Sequence, residues 1–418
     1  MAHLSTPLIS LRIAARALMT TGLDKRADAT RGENLLVASP LMSRVLLVLQ
    51  EDTLGGSTST LLRPVEVLVR RGWEVSFWCS KPSSLYDDLV AMGHRVDGAP
   101  RLMKYRISSL LHPPGMRKRL VSLPLSLAAF RGHLRSHRPD LVHVNGRLAL
   151  PEGLVARVSG FRVVAYMHDD ILPGVRGAVG RIAPWIASHE VLATSPTHAE
   201  AVRLGRREPG VLVGSAPLSP PVARRLRPAD VPAVVGTIGV VSPRKGTDVF
   251  IDMAEEVRRA GVDVDLRIVG RVEDGPGQAW AAEQLARAER AGVRYSGEVV
   301  VADELRGWDV MVLPSRAEPF GLVVTEAMAA GVSVIGSDLH GVADQLEGGV
   351  GVLVPPGDAG ALTSAVLALV AEPERRAALG AAGHARYLER FTPERAADAL
   401  ETAWEANLAG PDSGPSRI

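Results

Sequence analysis

The feature that most constrains this chain is a recurring pair. A short, continuously apolar run ends in a polar or glycine-bearing turn, and an amphipathic stretch of helical period follows. Runs apolar at every position suit strands covered on both faces, which is what crossover helices do for a parallel sheet. RVLLVLQ, from Arg44 to Gln50, opens the series. Leu61, Val65, Leu68 and Val69 then recur at helical spacing, Gly72 stops them, and VSFW follows as the next strand. Pro64 is expected in the first turn of that helix, where its missing N–H costs nothing. The alternation continues through LVHVN after Asp140, PEGLVARVSG, RVVAYMH and EVLATS. It starts again at AVVGTIGVV, with helices expected over Thr247 to Ala260, Gln278 to Ala291 and near Gly321 to Ala330, interleaved with DLRIVG, VRYSG, DVMVLPS, SVIGSD and GVLV.

Between the two series, Pro217, Pro220, Pro221, Pro228 and Pro232 crowd one segment that regular structure does not accommodate. The expected organisation is an extension over residues 1–42, a first doubly wound domain over 43–228, a second over 229–392, and a closing helix and polar tail over 393–418. A length of 418 residues suits two cores better than one, and two domains imply a cleft. Met42 directly precedes the first strong strand, so it is the expected start of the folded protein. Residues 1–42 lack the apolar stretch and cleavage site of a secretory leader.

Several function classes lose ground. Lys and Arg number 48 against 46 Asp and Glu, a formal +2, so bulk charge does not point to nucleic acid. No apolar run approaches the ~20 residues of a spanning helix. Cys79, the one cysteine, has no intramolecular partner, which fits a reducing cytoplasm and a small buried hydrophobe rather than a nucleophile. No G-x-G-x-x-G turn follows the early strands, and Lys245-Gly246-Thr247 has the wrong order for a P-loop.

The strongest local signal is LPSRAEPFGLVVTEAMAAG. Here a strand runs into a loop bearing Glu318, and then into a helix bearing Glu326. A loop at the carboxyl end of a parallel strand opens onto the ligand crevice, and the helix start at Phe320, Gly321 and Leu322 would offer free amides to an anionic phosphate. Glu326 could accept hydrogen bonds from a ribose or sugar diol. Taken alone, two acids near a helix start would only complement its dipole. Lys245 beside Arg244, at another strand-to-helix loop, is a plausible phosphate clamp, against the plainer reading of an exposed basic pair.

Together these strings resemble the retaining GT-B glycosyltransferases of family four, over most of the chain after Met42. The resemblance is carried by Glu318-x7-Glu326, EAMAAG, SVIGSD, VLVPPGD at Val352 to Asp358, and PRKGTD at Pro243 to Asp248. It implies an α/β fold of two Rossmann-like domains facing a cleft, and a nucleotide-sugar donor, UDP-sugar by family frequency, used without a bound metal. In this family the first glutamate contacts the donor sugar, the second the ribose, and the lysine the diphosphate, which maps onto Glu318, Glu326 and Lys245. Gly55 and Gly56 match the family's glycine loop after the first strand, and His168 matches a histidine facing the donor sugar. Where the family often has an arginine after Gly239, this chain has Val240, leaving Arg244 or Arg271 to replace it. The family's paired glycines and following glutamate near the donor pocket become His340-Gly341 and Asp344.

Two rival readings share the fold: a sugar-nucleotide epimerase, separated by nucleotide release that does not need an acceptor, and a non-catalytic binding protein, against which the intact Glu318, Glu326 and Lys245 weigh. The acceptor is not legible. Gly98 to Pro139 contains no acid while nine Arg and Lys accumulate, which would draw an anionic acceptor or the anionic inner face of a membrane. A solvated helix face over an ordinary core strip is the plainer and preferred explanation, because Pro113, Pro114 and Pro124 interrupt any long amphipathic helix.

Overall fold

The computed structural model describes residues 43–51, 53–100, 116–169, 174–216, 231–272, 275 and 277–409. The expected extension over 1–42, most of the proline-rich segment, the end of the tail, and part of the acid-free stretch lie outside these residues.

The first domain runs β1 (Arg44–Leu49), α1 (Gly56–Arg70), β2 (Glu74–Lys81), α2 (Ser84–Ala91), β3 (Arg95–Pro100), α3 (Met116–His137), β4 (Leu141–Asn145), α4 (Leu150–Val158), β5 (Arg162–Met167), α5 (Gly174–Ala187), β6 (Glu190–Ala193), α6 (Pro196–Val202) and β7 (Gly210–Val211). Its strands pair in the order β3-β2-β1-β4-β5-β6-β7, every neighbour parallel. The second domain runs β8 (Ala233–Ile238), α7 (Thr247–Arg259), β9 (Val264–Val269), α8 (Gln278–Arg290), β10 (Val293–Tyr295), α9 (Val301–Leu305), β11 (Val310–Leu313), α10 (Leu322–Ala329), β12 (Ser333–Ser337), α11 (His340–Leu346), β13 (Val352–Val354), α12 (Ala359–Ala371), α13 (Pro373–Arg390) and α14 (Pro393–Leu408). Its order, β10-β9-β8-β11-β12-β13, repeats the first sheet's logic, again all parallel. Strand order reverses between β1 and β4 in one sheet and between β8 and β11 in the other. These are the switch points where such sheets open a crevice at the strands' carboxyl ends.

Each sheet is sandwiched, as its apolar runs demand. In the first domain one face packs under α1, α2 and α14 and the other under α3, α4 and α5. In the second, α7, α8 and α12 cover one face while α10, α11 and α13 cover the other.

Pro64 departs from expectation. The turn after β1 is short, so α1 begins at Gly56 and Pro64 falls in its interior, not its first turn. An interior proline forfeits one main-chain hydrogen bond. The completely buried Leu61, Val65 and Leu68 on the same helix offset that loss, each contributing on the order of 2 kcal/mol.

The chain's last helix returns to where the fold began. α14 lies on α1 and seats Trp404, fully buried, 5.2 Å from the Trp73 ring, with its indole N–H donating to His143 Nδ1 at 3.1 Å. The chain therefore crosses between domains twice, near Ala216 and near Thr392. The crossings are pinned together: the Ala216 N–H donates to the Phe391 carbonyl at 3.3 Å, and the Tyr387 hydroxyl donates to the Ala216 carbonyl at 3.0 Å.

Candidate active site

A cleft of about 880 Å³ lies between the two sheets, and its walls include Gly55, Gly56, His168, Arg244, Lys245, Arg271, Glu318, Phe320, Gly321, Leu322 and Glu326. Residues scattered over 272 positions of sequence thus share one cavity.

The second-domain wall is built from two interlocked loops. PRKGTD forms a single helical turn at Pro243–Lys245, capped by the Ser242 hydroxyl, and Gly246 then serves as the N-cap of α7. Gly246 has φ +69°, and a Cβ there would lie 1.9 Å from the Pro314 carbonyl oxygen, so only glycine lets this loop meet the one after β11. Arg316 locks the pair. Its guanidinium grips the Asp248 carboxylate through two contacts of 2.7 Å and donates to the Pro243 carbonyl at 2.8 Å. Burial alone would raise the Asp248 carboxyl, but this guanidinium holds it below its ordinary value. Across the joint, the Lys245 ammonium pairs with the Glu318 carboxylate, and Arg244 donates to the Ala317 carbonyl at 3.0 Å while lining the cleft.

Gly321, at φ +87°, breaks the chain into α10. Leu322 and Val323, the first residues of that helix, line the cleft, which turns the positive end of its dipole toward it. Gln345 fixes this helix start from below: fully buried, it donates to the Phe320 carbonyl at 2.5 Å and the Gly341 carbonyl at 3.1 Å, and accepts from the Thr325 hydroxyl at 2.7 Å.

The first-domain wall starts with Gly55 and Gly56 at the head of α1, where a Cβ would meet no protein atom within 4 Å. Packing does not demand glycine at this point; the open space belongs to the cleft. Ser59, Thr60 and Arg63 continue the same polar stripe of α1 along the cavity. Arg63 reaches both domains: one guanidinium nitrogen donates to the Ser215 carbonyl at 2.6 Å and the other to Glu326 at 3.1 Å. His168 directly follows β5 with Nε2 3.7 Å from Glu51, and that nitrogen is buried with no hydrogen bond among the described residues. Asp169 beside it accepts from the Arg147 backbone at 3.0 Å. Burial works against its charge, but His168 and Arg147 together hold its carboxyl low. Behind this wall, Gln50 donates at 2.8 Å to Glu152, whose carboxyl burial pushes up to about 7.

The structure therefore brings the expected catalytic and donor-binding residues, Gly55, Gly56, His168, Arg244, Lys245, Glu318, Phe320, Gly321, Leu322 and Glu326, to one cavity. Of the replacements for the missing arginine, Arg244 and Arg271 both line the cavity beside Val240. His340, Gly341 and Asp344 do not line it. Asp344 instead accepts from the Thr197 backbone at 3.0 Å and its hydroxyl at 2.6 Å, tying α11 to α6 across the domains. Asp344 thus serves the junction between the domains and lies outside the cavity wall. Arg63, Gln345 and the Arg316–Asp248 pair were not singled out in the sequence. The one signal for Arg63 is that Gly56, Ser59, Thr60 and Arg63 recur on a single face of an otherwise apolar helix.

Comparison with known proteins agrees with this architecture. A family model described as glycosyltransferase family 4 matches residues 54–213, and one described as glycosyl transferases group 1 matches 232–372. Phosphatidyl-myo-inositol mannosyltransferase of Mycobacterium leprae is 30% identical over 363 residues, spanning 80% of this chain and 90% of that relative. D-inositol 3-phosphate glycosyltransferase of Segniliparus rotundus is 35% identical over 196 residues, 44% of this chain, though the match spans only 42% of that relative's length. Among solved structures, Anabaena HepE in complex with UDP and glucose superposes with a TM-score of 0.71 at 19% identity, covering 87% of this chain and all of that one. With both domains matched by family models and the same double sheet shared with solved relatives, the chain belongs to the group 1, family 4 glycosyltransferases of GT-B fold.

Proposed function

We propose that this protein transfers a hexosyl group, with retention of anomeric configuration, from a nucleoside diphosphate sugar to an acceptor held on the first-domain side of the cleft. The observation that supports it best is the convergence of Lys245, Glu318, Glu326 and the amide end of α10 on one cavity. Cations and amide dipoles suit the negative charge that builds on a departing diphosphate, and carboxylates suit sugar and ribose hydroxyls.

In this reading the donor diphosphate lies against Lys245, Arg244 and the head of α10, its ribose at Glu326 and its sugar between Glu318 and His168. The bond from the anomeric carbon to the phosphate oxygen breaks as the acceptor oxygen bonds to the same face. The departing phosphate oxygen takes the acceptor's proton, so the protein supplies no nucleophile. Before donor arrives, Glu318 and Glu326 are held by Lys245 and Arg63, and the donor competes for these contacts. UDP is the nucleotide to test first, since HepE was solved with it. GDP-mannose comes second, because a Mycolicibacterium smegmatis relative, 31% identical over 263 residues, is named for its dependence on it. An acceptor bearing phosphate is consistent with the names of the inositol-phosphate relatives and with the acid-free stretch before Pro139.

The test is donor binding and transfer in Glu326→Ala and Lys245→Ala. Losing a hydrogen bond to a charged partner typically costs about 1.5 to 3 kcal/mol, roughly ten- to hundredfold in affinity. Both variants are expected to lose transfer while keeping the wild-type circular dichroism spectrum. Wild-type donor affinity in both would refute the assignment, and an inverted product anomer by NMR would refute retention.

A further inference from the structure

Away from the cleft, three side chains from two elements converge at the edge of the first sheet: Asp97 from β3, and His133 and His137 one helical turn apart on α3. None of them lines the cavity described above. One candidate donor atom from each lies within 4.8 Å of the other two.

Their hydrogen bonding gives the cluster its meaning. His137 Nδ1 lies 3.2 Å from the carbonyl oxygen of His133. The Ser136 hydroxyl lies 2.9 Å from the same nitrogen, and in the tautomer that keeps the ring proton on Nδ1 the ring presents a lone pair at Nε2. That Nε2 faces Asp97 Oδ2 at 3.8 Å, and His133 Nδ1 faces the same oxygen at 3.9 Å. Both separations exceed a hydrogen bond, so among the described residues a gap remains between the three side chains that no hydrogen bond between them closes. The two imidazoles stack with centroids 3.9 Å apart, which brings both to the same side of Asp97. Arg95, the nearby cation, is directed to Glu74 at 3.6 Å.

We propose that Asp97, His133 and His137 bind a divalent cation of the zinc class, pinning α3 to the edge strand β3. Two imidazoles and one carboxylate are the donor set that borderline metals prefer. Donors about 2.1 Å from a tetrahedral ion sit roughly 3.4 Å from one another, so closing the site takes a movement of Asp97 by about half an ångström and a rotation of the His137 ring out of its stack on His133. Asp97 and His137, whose side chains are 41% and 36% exposed, are free to make it, and that exposure leaves an entry path and room for water as a fourth ligand. With Nε2 on the ion, His137 Nδ1–H would be left to donate to the His133 carbonyl or the Ser136 hydroxyl, the kind of outer-sphere contact that orients a ligating histidine. His133, its side chain 7% exposed, packs against the Trp78 ring with centroids 4.7 Å apart, which fixes its place beside Asp97. Because β3 and α3 flank residues 101–115, the ion would close a cross-link around that stretch of chain.

The experiment uses the full, untagged chain stripped with chelator. Zinc is titrated calorimetrically, cobalt(II) is followed by its visible absorption, and thermal unfolding is recorded with and without zinc. The expected result is saturation at one equivalent, the intense absorption of four-coordinate cobalt, and a raised melting temperature. Asp97→Asn and His137→Ala are partly exposed changes that should fold normally and weaken binding by at least about tenfold, whereas His340→Ala, an exposed histidine elsewhere, binds as wild type. Saturable binding that survives in the Asp97→Asn, His137→Ala double variant, or no cobalt absorption above that variant's, overturns the proposal.

Discussion

Glu152 offers a quantitative test of how the first domain is held together. Its carboxyl is 4% exposed, accepts one hydrogen bond from Gln50, and leaves Oε2 without a partner among the described residues. Burial moves it from 4.5 to about 7. The folded state therefore binds this proton more tightly than the unfolded chain does, so stability is fully present below the unfolded value near 4.5 and falls as pH rises through 7. At roughly 1.4 kcal/mol per pH unit, the loss amounts to about 3 kcal/mol by pH 8. Glu152→Gln keeps the shape and the Gln50 contact but cannot ionise, so the variant should not show that loss. All other titrating groups are common to both proteins, and the difference between their stability curves isolates this one. Denaturant melts at steps between pH 5 and pH 8 should show the variant gaining on wild type across the series. In thermal melts the gap should grow by roughly 6 to 12 °C, at about 2 to 4 °C per kcal/mol for a domain of this size. A difference that stays flat with pH would refute the reasoning, and one that shrinks as pH rises would mean the carboxylate is ionised and stabilising in the fold.

Gly246→Ala should displace the Lys245 loop, because its Cβ would fall 1.9 Å from the Pro314 carbonyl at φ +69°. Donor affinity should drop and stability fall by about 1 to 3 kcal/mol, while Gly277→Ala, facing open space, serves as the neutral control in both assays. Trp404→Ala removes a completely buried indole and should cost about 3 to 5 kcal/mol in denaturant unfolding; a cost below about 1 kcal/mol would mean α14 is not integral to the first domain.

The fold was legible because its strands are apolar on both faces, a pattern that only crossover helices on two sides explain. The second-domain side of the site was legible for a related reason: Glu318 and Lys245 sit on loops directly after strands and Glu326 on the helix that follows, where chain order and spatial order coincide. What stayed hidden depends on contacts between distant parts of the chain. Arg63 meets Glu326 across 263 positions, and its partner does not show in the local pattern of α1. Gln345 looks like any polar residue on a short helix until the Phe320 carbonyl is brought above it. Asp97 is separated from its two histidines by a stretch whose length carries no register. Pro64 was misplaced because proline statistics favour a first turn, whereas helix burial outweighed the lost hydrogen bond.

The paired crossings at Ala216 and Phe391 bear on how the two halves can move. A domain on one tether can swivel in any direction; a domain on two tethers bonded side by side keeps one easy rotation, about the line joining them. Any opening of the halves would therefore run like a book along this spine, and the Arg63–Glu326 pair, with Arg63 anchored on Ser215 beside the spine, is a contact that such opening would break. Under the donor placement proposed above, a ribose that takes Glu326 would also release Arg63, coupling occupation of the pocket to freedom at the hinge.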